Sequence, residues 1–152
     1  MVTSTPQSAK AKGRKFQQQL REDLIRELGI SPDNILSTAM GQGGCDLYLS
    51  PAARSVFPFG VEAKRCETLA IPAWWKQCEN NASKVGLIPL LVFKRNREEP
   101  LAVLRWSDLL ALLSEVQKLH EATLDLAVAA GRASGDHRWQ NLAEGLTGGE
   151  RP

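Results

Sequence analysis

The chain has 152 residues, enough for one domain with a substantial core. Its 43% apolar and 24% charged residues are an ordinary globular balance that argues against wholesale disorder. A formal net charge of +2 does not by itself announce a nucleic-acid binder, and no apolar run is long enough to span a bilayer. The N-terminus lacks the apolar core of a signal peptide, so the expectation is a cytoplasmic protein with no membrane partner.

Residues 1–9 are small and polar and read as a flexible arm. From Lys10 to Leu28 the pattern is helical, because Phe16, Leu20, Leu24 and Leu28 recur every fourth residue, Ile25 widens the stripe and Gly29 stops it. Gln17 falls inside this apolar stripe, with Arg21 one turn on. A polar residue there needs a partner: Gln17 either caps the edge of the core or looks into a polar site. Ser31-Pro32-Asp33-Asn34 is a turn, Ile35 to Met40 a strand, and Gly41 to Gly44 a tight connection. Glycines there allow close approach of backbone to a phosphate, and a plain hairpin turn accounts for them equally.

The next strand carries Cys45, Asp46, Leu47, Tyr48 and Leu49. Alternation puts Asp46 and Tyr48 on one face and Cys45, Leu47 and Leu49 on the other. Pro51 to Val56 is a short helical excursion before the strand Phe59 to Lys64, in which Glu62 and Lys64 share a face. If these strands pair, Asp46 meets Glu62 and Lys64. Two converging carboxylates are unfavourable without a positive charge between them, and a divalent cation with a lysine beside it answers that. Tyr48 and the Trp74-Trp75 pair suggest that the face is enclosed, the tryptophans as core.

A helix then runs from Pro72 to Lys84, with Trp74, Cys78, Ala82 and Val85 on one face and Gln77 and Asn81 flanking it one turn apart. Ile88 to Phe93 is a nearly all-apolar strand, with Pro89 at its beginning or at a bulge. Lys94 to Pro100 is a basic turn, Leu101 to Trp106 a final strand, and Asp108 onward an apolar helix reaching toward Val128. That helix is either a two-fold interface or a core helix closing the sheet. The domain is bounded at 10–130, with 131–152 as a mobile tail. Cys45, Cys66 and Cys78, odd in number and without paired metal-ligand spacing, are expected as reduced thiols.

Charge is unevenly spread. Lys10, Lys12, Arg14 and Lys15 precede the first helical stripe and further cations fill the middle, whereas Ser107 to Ala130 is acidic. A phosphate-facing surface with an acidic back accounts for this, as do ordinary solvated faces.

On Lys12-Gly13, Gly44-Cys45-Asp46-Leu47, Val61-Glu62-Ala63-Lys64, the helix bearing Gln77 and the run Gly86 to Lys94, the chain resembles the PD-(D/E)xK nuclease superfamily. Within it, the resemblance is to archaeal-type Holliday junction resolvases and their phage relatives, over about residues 10–110. It implies an α/β fold of restriction-endonuclease type, with a mixed five-stranded sheet flanked by helices in the order α-β-β-β-α-β-β-α. It implies a Mg²⁺-dependent endonuclease, with Mn²⁺ as a substitute, acting as a homodimer on branched DNA in a bacterial cell if phage-encoded. Asp46, Glu62, Lys64 and Gln77 would be catalytic, and Asp46, Glu62 and the Ala63 carbonyl would hold the metal. Gln17 would support the site, where the resolvases carry a glutamate. Lys12, Arg14, Lys15, Arg21, Gly43 and Arg65 would meet DNA. The alternative is a catalytically weak nuclease fold serving as a DNA-binding or assembly module. Gln17 in place of the acid favours it, and intact Asp46, Glu62 and Lys64 oppose it.

Overall fold

The computed structural model describes residues 6–38 and 43–134. The chain divides into two compact units, Met1–Leu104 and Arg105–Pro152.

The first unit opens with α1 (Pro6–Leu28), so helix replaces part of the expected arm, and proline at its first position fits because the missing N–H is unused there. Gly29 ends the helix at φ 65°, a left-handed conformation open to glycine. Phe16 is buried, and Leu20, Leu24 and Ile25 pack on a core of Ile30, Ile35, Leu47, Leu49, Ala53 and Val61. Leu28 is exposed, and Ile30 beyond the glycine takes the burial expected of it.

After a 3₁₀ turn (Pro32–Asn34), β1 (Ile35–Ser37) pairs antiparallel with β2 (Leu47–Leu49), Ile35 opposite Leu49 and Ser37 opposite Leu47. The strand expected to reach Met40, and the start of the glycine connection, fall on residues 39–42, outside the described residues. Arg21 is spent on this turn: Nε donates to the Ile35 carbonyl at 2.7 Å and an Nη to the Pro32 carbonyl at 2.8 Å. Two of its donors are held by the local chain in this way. The short helix α2 (Pro51–Val56) is capped by Ser50, whose Oγ accepts the Ala53 N–H.

β3 (Phe59–Arg65) runs parallel to β4 (Ile88–Lys94) over all seven residues, and β4 runs antiparallel to β5 (Leu101–Val103). A parallel pair needs a crossover, supplied by α3 (Ile71–Ser83). Pro89 is tolerated because β5 pairs with β4 only from Leu91 onward. Cys78, Leu91 and Phe93 form a second buried cluster, on which Ile71, Trp74, Trp75 and Val103 pack, so both tryptophans are core.

Among the described residues the strands of the expected five-stranded sheet form two sheets, β1–β2 and β3–β4–β5. A backbone bond links them, from the Asp46 N–H to the Val61 carbonyl at 2.8 Å. At the next acceptor position the Asp46 side chain takes over, its Oδ2 accepting the Ala63 N–H at 2.7 Å. A carboxylate thus stands where a ladder would continue.

Gly60 sits where the two layers come closest. A Cβ there would lie 2.7 Å from the Ala82 Cβ, 3.0 Å from the Ala82 Cα and 2.9 Å from the Cys45 sulfur. Backbone on one side cannot yield, so Gly60→Ala is expected to cost about 1–3 kcal/mol by overpacking. Urea denaturation reads this, and an unchanged midpoint would show that α3 shifts freely.

The second unit contains α4 (Trp106–Ser134). The strand expected to end at Trp106 stops at Val103, and Trp106 opens the helix instead. α4 also runs past the expected domain end at residue 130; residues 135–152 lie outside the described residues. Leu113, Val116, Leu119 and Leu126 are exposed on it. Among the described residues no helix is long and apolar enough to cross a membrane.

Candidate active site

β3 carries Glu62 and Lys64 on one face, as their spacing requires. Glu62 is 3% exposed, and Lys64 Nζ lies 2.7 Å from its Oε1. The other carboxylate oxygen, Oε2, accepts the amide of Asn81 at 3.1 Å. Lys64 Nζ also donates to Gln77 Oε1 at 3.0 Å. Gln77 and Asn81 stand one turn apart on α3, so one helix face holds both members of the ion pair. A buried carboxylate of this kind needs both charge and hydrogen bonds to persist, and it has both.

Asp46 arrives differently from the alternation argument. It is not in β2 but at a bend before it, while Tyr48, expected on its face, is 54% exposed and encloses nothing at the site. What aims Asp46 is tertiary: Oδ2 accepts the Ala63 N–H and Oδ1 accepts the Gln17 amide at 2.7 Å. Within an extended strand the N–H and C=O of one residue point to the same edge, so the Ala63 carbonyl faces the Asp46 side as well. Asp46, Glu62 and that carbonyl are therefore a set of hard oxygens around one strand position.

Burial pushes the Asp46 carboxyl up to about 6 from its ordinary 3.8, and the nearby Glu62 charge adds to this. The Ala63 N–H, Lys64 and Gln17 pull the other way without cancelling it. Gln17 is 7% exposed and its Oε1 has no hydrogen-bond partner, an orphan acceptor beside the acids. Burial, with the Glu62 charge next, raises both neighbouring thiols, Cys78 up to about 12. They are therefore protonated and unreactive at neutral pH.

The structure gathers Asp46, Glu62, Ala63, Lys64, Gln77 and Gln17, all named from the sequence. Asn81 was missed as a site residue, although it lies one turn from Gln77 on the same flank. Of the residues expected at DNA, Lys12 and Arg65 line one cleft, and Arg14 and Lys15 line another with Lys10. Gly43 lies elsewhere, in an apolar cleft with Leu36, Tyr48 and Arg54 that contains neither acid. Among the described residues no group of three or more His, Cys, Asp or Glu gathers, so a cation here would rely on two carboxylates, backbone and water.

No curated protein and no solved structure matches the chain. A family model described as "Phage putative PDDEXK endonuclease" matches residues 8–132, a span that includes every residue of the acid and amide cluster. The chain belongs to that phage PDDEXK endonuclease family.

Proposed function

We propose that the protein is a metal-dependent DNA endonuclease. The observation that carries the reading is the 2.7 Å bond from the Ala63 N–H to Asp46, which sets the first acid against the residue between Glu62 and Lys64.

The residues present fit a magnesium ion. Mg²⁺ favours a few hard oxygen ligands and keeps several waters, and the donor set is Asp46, Glu62 and the Ala63 carbonyl. The orphan Gln17 Oε1 supplies a further acceptor for an ordered water. When bound, the metal would stabilise charge on the scissile phosphate and activate water at neutral pH. Asn81 holds Glu62 at the correct angle, Gln17 holds Asp46, and Gln77 keeps Lys64 beside the acids. Lys64 now neutralises Glu62. Its ammonium would also be placed to answer the charge that develops on the phosphate.

Branched DNA is the substrate that the resemblance to Holliday junction resolvases supports. A junction presents two equivalent strands, which suits a homodimer, and the exposed leucines of α4 are apolar surface that such a dimer would bury. The second reading, a DNA-binding module with weak catalysis, is favoured by Gln17, an amide and so a poorer metal ligand than a carboxylate.

Linear, nicked and four-way DNA incubated with Mg²⁺, Mn²⁺ or EDTA separate these. Cleavage is expected with either metal and not with EDTA, fastest on the four-way substrate. Binding of all three DNAs without cleavage under any metal would establish the module reading instead.

A further inference from the structure

Beyond the acids, one cleft joins two of the cations. Lys12, Arg65, Cys66, Glu67, Thr68 and Asn96 line a space of about 300 Å³ between α1, the end of β3 and the turn after β4. Arg65 anchors it, with an Nη donating to Asn96 Oδ1 at 3.3 Å. Its Nε is buried and has no hydrogen-bond partner. An unanswered guanidinium N–H is costly, on the order of 1–3 kcal/mol, and its natural complement is an anionic oxygen. The rim has two cations against one carboxylate. That carboxylate, Glu67, accepts the Asn96 backbone N–H at 2.8 Å and so ties the turn after β3 to the turn after β4.

Position gives the cleft its meaning. Lys12 precedes Gln17 by five residues of α1, about 7.5 Å of helix rise. Arg65 follows Ala63 by two residues of β3, about 6.6 Å of strand. Both residues are thus a short step along their own elements from the contacts of Asp46, and they meet in one cleft. We infer that this cleft is a phosphate-binding subsite, in which Arg65 and Lys12 hold the backbone phosphate of the DNA strand that flanks the one attacked. The inference rests on the reading of DNA as substrate. It adds a grip that fixes the strand's register over the acids without reading its bases.

The test is anisotropy of a fluorescein-labelled linear duplex in EDTA across a KCl series, with Mg²⁺-dependent cleavage of the same duplex in parallel. Each phosphate contact contributes about 0.9 to the slope of log K against log salt. Arg65→Gln and Lys12→Gln are each expected to flatten the slope by about 0.9, while Arg95→Gln, an exposed cation beside Glu98, leaves it unchanged. Slopes equal to wild type for both cleft variants would overturn the subsite, as would an equal loss in Arg95→Gln or failure of the wild type to bind. If Arg65→Gln does not fold by circular dichroism, Lys12→Gln decides alone. A wild type that binds and never cuts, with both slopes flattened, refutes the nuclease and keeps the subsite. One that cuts while the slopes hold refutes the subsite alone.

Discussion

Asp46→Asn is expected to make the metal-free protein more stable at pH 7.5 while removing metal binding and cleavage. Burial holds the Asp46 carboxyl up at about 6, above its ordinary 3.8. A carboxyl with a raised folded pKa binds more protons in the native state than in the unfolded one. Its contribution is therefore fully present below about pH 4 and is lost as the pH rises through about 6. The gap of about 2 pH units corresponds to at most about 3 kcal/mol, less for a half-buried group. Asparagine carries no charge to desolvate. Its oxygen can accept the Ala63 N–H while its amide donates to the oxygen of a flipped Gln17, so both contacts of the side chain are kept. The variant should gain on the order of 1–3 kcal/mol at pH 7.5 and almost nothing at pH 3.5. Millimolar Mg²⁺ should stabilise the wild type but not the variant. Thermal melts at both pH values, with and without Mg²⁺, read all of this. A variant weaker than wild type at both pH values would mean that its charge stabilises the fold, contrary to the raised pKa.

Lys64→Ala should do the opposite and damage both stability and rate. Glu62 is 3% exposed, and without Lys64 its charge keeps only the Asn81 amide. Removing one partner of a buried pair costs about 3–5 kcal/mol, and the partial exposure of Lys64 brings the expectation nearer 2–4. The double variant Glu62→Gln/Lys64→Met should recover most of that loss, since it leaves no unpaired charge. Cleavage by Lys64→Ala should fall about a hundredfold or more, the usual loss when a charge-stabilising group is removed from a transition state. Single-turnover cleavage in Mn²⁺ and urea denaturation measure the two effects separately. A rate within threefold of wild type would remove Lys64 from the chemistry, and an unchanged midpoint would show that Glu62 finds another counter-charge.

What was legible in the sequence was whatever a period can carry. Spacing by two put Glu62 and Lys64 on one face, and spacing by four put Gln17 inside an apolar stripe, which is why its amide meets Asp46. Gln77 and Asn81 were visible as one flank, but only the three-dimensional fit shows that Asn81 addresses Glu62. Asp46 shows where periodicity fails. A bend of one residue turns it out of the strand's alternation, and the bonds that aim it come from residues 29 positions earlier and 17 later in the chain. The division into two sheets follows from that same bend, and Tyr48, left on the other side of it, faces solvent. The bonds of Arg21 to two nearby carbonyls were not legible either, because charge and spacing say nothing of which backbone oxygens a turn presents.

The seam between the two sheets has a consequence for solubility. β3 has β4 along one edge, and along the other the backbone ladder stops after the bond from Asp46 to Val61. A strand edge with an unanswered N–H invites a strand from another chain, and an inward-pointing charge is one of the ways proteins prevent this. The Asp46 carboxylate answers the Ala63 N–H and closes that edge with a group no foreign strand can pair with. The residue that would carry the metal chemistry is thus also a guard against edge-to-edge association. Truncating it to alanine, unlike changing it to asparagine, would open both the site and the sheet.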